Sequence, residues 1–176
     1  MRREIYRARV LFDLRGIGEP SPLLDNLRGH IASELNGNDA FIAVLANQPP
    51  LTFFHGLVVD DEETESAHLD IVRSALQPLA DVGRVLSLDH GAVEQTSTWE
   101  RLDQAARHHR EQRALLREAA EAFRIGLFHR ACAGLSGGHD GTLVDPARLT
   151  KYEQTVLKSV FRTVVALLEF TERRYL

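Results

Sequence analysis

The C-terminal segment constrains the fold more than any other part of the chain. Leu157, Val160, Phe161, Val164, Val165 and Leu168 recur at the spacing that lines one face of an α-helix. The stripe is wide, and a wide apolar stripe is stable in water only when other helices cover it. A helical bundle is the economical solution. Thr150-Lys151-Tyr152-Glu153 marks the start of this helix as a capping box, in which hydroxyl and carboxylate satisfy each other's backbone donors.

The upstream segments supply partners for that stripe. Residues 4–12 are rich in β-formers and predict a short strand, broken by Gly16-Ile17-Gly18-Glu19-Pro20. Ser21-Pro22 opens a helix with Leu23, Leu24, Leu27 and Ile31 as its apolar positions, ended by Asn36-Gly37-Asn38. A shorter helix is expected from Ala40 to Ala46, stopped by Gln48-Pro49-Pro50. Runs 51–59 and 68–72 look extended, joined by the acidic turn Asp60-Asp61-Glu62-Glu63. From Ser74 the pattern is helical, with Pro78 in the first turn, Leu79, Val82, Val85 and Leu86 as the stripe and Gly91 as the stop. Ser97-Thr98-Trp99-Glu100 predicts a further capped helix. A longer one follows over 112–135, with Leu115, Leu116, Ala119, Phe123 and Leu127 on one side, and 136–141 form a loop. The expected fold is mainly α: a bundle of about five helices, a small extended pair near residues 51–72 and a short N-terminal strand.

Composition narrows the function. A net charge of −4 does not suggest phosphate-backbone binding, so no nucleic-acid partner is expected. The single cysteine, Cys132, cannot form an intrachain disulfide and is expected to serve as a small buried hydrophobe. No stretch approaches the length of a membrane span and no secretory signal opens the chain, so a cytoplasmic location is the default expectation.

Few residues carry a chemical signature. His108 and His109 are adjacent, and neighbours on a helix point about 100° apart, which disfavours a shared metal. There is no His/Cys pattern at zinc spacing, and Gly137-Gly138 lacks the Lys-Ser/Thr of a phosphate loop. Arg124 and His129 have the R-x-x-x-x-H spacing of helical RNA-cleaving domains, but they sit about 140° apart around a helix. Asp13 ends the first strand, where a strand-end residue can pair with Arg15.

Taken in order, several segments resemble the putative nucleotidyltransferase substrate-binding domain family. Val10-Leu11-Phe12-Asp13-Leu14-Arg15 and Gly18 look like the exit from a catalytic domain, and the resemblance allows Asp13 to be a remnant carboxylate of that domain's site as an alternative to a strand-end partner of Arg15. Leu69-Asp70-Ile71, Pro78, Arg84 and Leu86-Ser87-Leu88 resemble the family's strand and following helix. Thr98-Trp99-Glu100-Arg101-Leu102 is similar to its T-x-x-R-L segment, and Phe128-His129 to a polar-edged R-L-x-H-Q run. Val144-Asp145-Pro146, Leu149, Glu153, Leu157-Lys158 and Phe161 resemble its closing pattern. Val72 departs from the usual Lys, and Gly126 and Arg130 from the usual Arg and Gln.

The resemblance implies two parts: residues 1–33 as the exit strand and helix of a nucleotidyltransferase domain, and 34–176 as the helical substrate-binding domain. Relatives of this kind follow a catalytic domain similar to the uridylyltransferase of the PII signalling protein, often with cyclic-nucleotide-binding and CBS modules. Magnesium and a nucleoside triphosphate are implied for that catalytic half and no cofactor for this chain, which lacks the paired carboxylates that nucleotidyl transfer uses to place metal ions. The expected role is therefore recognition of a substrate or protein acceptor, beside a catalytic domain in cis or trans. Arg84, Arg101, Arg124 and His129 are the expected surface groups for it. The alternatives are a stand-alone protein-interaction module and, more distantly, an RNA-cleaving domain using Arg124 and His129.

Overall fold

A computed structural model describes residues 12–17, 21–34, 68–137 and 140–175. The expectations for 4–11, 40–46, 51–59 and the acidic turn 60–63 fall outside the described residues. Five α-helices dominate the rest: α1 (Pro22–Glu34), α2 (Gln77–Asp89), α3 (Thr98–His108), α4 (Arg113–Gly137) and α5 (Lys151–Tyr175). Two short strands, β1 (Leu69–Asp70) and β2 (Leu143–Val144), pair antiparallel with Leu69 opposite Val144. The described strand partner of the 68–72 run is thus the segment between the two longest helices.

The bundle forms because four apolar stripes meet. Leu79, Val82, Val85 and Leu86 of α2 are fully buried, as are Leu102 of α3, Leu116 of α4 and Val164 of α5. α2 packs on α3, α3 on α4, and α4 on α5. Every apolar residue of the expected C-terminal stripe is buried. The expected stripe on α4 holds at Leu116 and Ala119, which are buried, and at Leu115 and Phe123, which pack half-buried against the core. Leu127 is exposed, and the buried face runs through Leu116, Ala119, Ala120, Ala122, Gly126 and His129. Small residues there let α4 lie close to its neighbours; a Cβ on Gly126 would stand 2.9 Å from the Leu76 side chain. Cys132 is exposed, contrary to the expectation of a buried thiol, because it lies beyond that face.

The helical run begins earlier than Ser74. Val72–Leu76 form a π-helical turn in which the Gln77 amide donates to the Val72 carbonyl. Pro78 has no amide to donate to the preceding turn, which removes one competitor for the tighter α-helical register. Gly91 ends α2 in the left-handed region at φ 66°, as its position predicts. Thr150 and Glu153 form the reciprocal capping box at the start of α5. Ser97 occupies the N-cap of α3, but its side chain makes no capping hydrogen bond, so the second expected box is not formed.

Candidate functional site

Arg84 and Arg101 meet at one carboxylate. Arg84 sits on α2 and Arg101 on α3, on helix turns that face each other across the α2–α3 contact. Asp13 reaches them from the N-terminal segment. Its Oδ2 accepts from Arg84 Nη2 at 2.5 Å, and its Oδ1 from Arg101 Nη1 at 2.7 Å. Arg84 also donates to Asp81 at 2.5 Å, while Arg101 donates to the carbonyls of Gln95 and Phe12. Asp13 therefore pairs with Arg84 and Arg101 and not with Arg15. Among the described residues it is the solvent-side member of an ion network with Arg84, Arg101 and Asp81.

Burial sets the electrostatics of that network. Arg84 is 8% and Arg101 3% exposed, so neither is the surface group expected from the sequence. Burial alone would raise the Asp13 pKa, but hydrogen bonds and charge from Arg84, then Arg101, hold it below the usual carboxylate range. The two guanidiniums respond differently. Burial opposes both, yet Arg84 has Asp13 and Asp81 beside it and is raised, whereas Arg101 has Asp13 and the repelling charge of Arg84 and is lowered.

The other two expected site residues are not brought together. Arg124 is exposed on α4 and stands 3.5 Å from Glu121 one turn away. His129 is buried at 5% exposure, and burial lowers its pKa against the opposing charge of Glu153. Its change of charge therefore falls below the ordinary histidine range. Beside it, Phe128 is 62% exposed and lies edge-on to the His129 ring at 5.8 Å between centroids.

A second polar cluster was not foreseen. His90 follows α2, and its Nε2 lies 2.9 Å from Nε2 of His109, which follows α3. The His90 ring stacks on His108 at 4.3 Å, and Phe170 of α5 lies edge-on to His109. Asp89 beside them accepts from Arg174 at 2.9 Å and from Tyr175 at 2.8 Å. Burial, then the charges of Arg174 and His90, push His109 down to about 4. The signal was weak because the cluster joins residues from three helix ends that share no short motif. Among the described residues no group of three or more His, Cys, Asp or Glu is arranged to hold a metal ion. No described helix is long and apolar enough to cross a membrane.

The structure is thus a mainly α domain whose most buried charges form an arginine–carboxylate network. Residues 38–175 match the family described as putative nucleotidyltransferase substrate binding domain, and the chain belongs to that family. No curated protein and no solved structure matches it.

Proposed function

We propose that the chain is the accessory domain that holds an acceptor for a nucleotidyltransferase, with the catalytic domain supplied in cis or in trans. The observation that carries this reading is the family match over residues 38–175. Magnesium and the nucleoside triphosphate belong to the catalytic domain in this reading. Asp13 is committed to two arginines, which gives no support to a remnant catalytic role. A cytoplasmic setting and a part in signal transduction belong to the same reading.

The α4 surface is the recognition face in this account. Arg124 projects to solvent, and its contact with Glu121 is long and exposed, so exchange for a ligand carboxylate or phosphate costs little. Exposed Phe128, one turn further along, offers an apolar contact beside it. Arg124→Gln, assayed with the catalytic domain, should leave the melting temperature unchanged and lower modification at subsaturating acceptor. Equal rates for mutant and wild type would remove Arg124 from the site.

One observation favours a second reading, a stand-alone interaction module. Phe128 and Leu135, seven residues apart on α4, are both exposed. The RNA-cleaving reading gains nothing from the geometry, since Arg124 faces solvent and His129 faces inward.

A further inference from the structure

Two buried cations share one carboxylate that comes from outside the span matched by the family. Arg84 and Arg101 lie inside that span, residues 38–175, whereas Asp13 precedes it. The guanidiniums are nearly sealed, yet the Asp13 side chain keeps 38% of its surface in solvent. The carboxylate therefore closes the site from outside. Among the described residues Arg101 has no other carboxylate partner, its remaining acceptors being the Gln95 and Phe12 carbonyls. Among the described residues, lifting Asp13 would leave two guanidiniums and the Asp81 carboxylate, a net positive charge in a largely dry setting. A buried cation left without its counter-ion is strongly unfavourable, so a vacated site would demand another anion.

The donor geometry defines what fits. Arg84 offers Nη2 to one oxygen and Nε, at 3.3 Å, to the other, and Arg101 offers Nη1 to that second oxygen. Guanidinium donors spread over two oxygens match a carboxylate or a phosphate. The segment that carries Asp13 is held at Phe12, whose carbonyl accepts from Arg101 at 2.8 Å, and at Asp13 itself, and is open to solvent after that point. Phe12 is buried, but Leu14, Arg15, Gly16 and Ile17 are exposed, and the described bond to Leu14 is a 3.4 Å contact from Arg28.

We propose that Arg84 and Arg101 form a binding site for a small oxyanion, carboxylate or phosphate, which Asp13 fills when no ligand is present and vacates when one binds. The inference rests on the acceptor-binding reading for what the site serves, since an acceptor bearing such a group would be anchored there. Its test needs only this chain, so its failure and that of the acceptor reading are distinguishable.

The probes are inorganic phosphate and acetate, each compared with chloride at matched ionic strength. In the wild-type chain either anion should speed trypsin cleavage after Arg15 several-fold as the Asp13 segment lifts. In Asp13→Asn the internal competitor is gone, and titration calorimetry should show that anion binding at least about tenfold more tightly than to wild type. Adding Arg101→Met should abolish this gain. A response to phosphate alone assigns a phosphate ligand, a response to acetate alone a carboxylate, and a response to both the shared chemistry; each supports the site. Cleavage no faster than in chloride with both anions overturns the proposal, and this holds even if Asp13→Asn fails to fold. Binding to Asp13→Asn that survives Arg101→Met overturns it as well.

Discussion

Asp13 accepts a hydrogen bond from Arg101 across 88 residues of sequence, at 2.7 Å. Together with the Arg84 contact, this ties the N-terminal segment to α2 and α3. The tie makes stability depend on a residue that lies before the family match. Asp13→Ala should destabilise the fold by about 2–4 kcal/mol, less than for a sealed pair because the carboxylate is partly solvated. Urea denaturation checks this, and an unchanged midpoint would show that the arginines are satisfied without Asp13.

The same network has an acid signature. The folded pKa of Asp13 lies below its unfolded value, so its contribution is complete above the unfolded pKa and is lost as pH falls through the folded one. Wild type should lose stability below about pH 4, relative to Asp13→Asn, by linkage. Parallel melting curves for the two proteins across that range would contradict the pairing.

His109 gives a separate dependence nearer neutrality. Its folded pKa is about 4 against an ordinary 6.5, so the unfolded chain takes up the proton first. The neutral imidazole's contribution is present above 6.5 and declines as pH falls toward 4. After discounting for solvent screening, the loss should be about 1–2 kcal/mol, and His109→Leu should remove it. His90 lies within hydrogen-bond distance of His109, so the two titrate as a pair and the curve belongs to both. Equal slopes of melting temperature against pH in wild type and variant would place His109 outside the effect.

Packing and backbone shape give two further tests. Phe161 is buried in the stripe that defines α5, and Phe161→Ala should cost about 3–5 kcal/mol in a denaturant titration. Gly141 holds φ 74°, and a Cβ there would stand far too close to the Arg130 carbonyl. Gly141→Ala should therefore cost more than about 2 kcal/mol. A near-neutral value at either position would mean that the chain packs differently there.

The helices were legible where one face is apolar and its ends carry capping chemistry. The α5 stripe, Pro78, Gly91 and the Thr150–Glu153 box all report on local geometry, which sequence spacing encodes. On α4 the expected face fails only at Leu127, because Ala122 and Gly126 continue the buried side there, and small residues give a weak periodic signal. Arg84 and Arg101 were expected at the surface because charge predicts exposure. Arg84 has a local partner in Asp81, three residues away, but the acid it shares with Arg101 lies 71 and 88 residues from them, and no local pattern announces such a partner. The pairing of β1 with β2 was hidden for the same reason.

The central claim is that this chain binds the acceptor and leaves nucleotidyl transfer to its catalytic domain. The direct measurement is the rate of acceptor modification against acceptor concentration, by the catalytic domain with and without this chain. Adding the chain should lower the acceptor KM by about tenfold or more, equivalent to at least about 1.4 kcal/mol of binding, and leave the saturating rate unchanged. Superimposable curves with and without it, or magnesium-dependent transfer by the chain alone, would contradict the account.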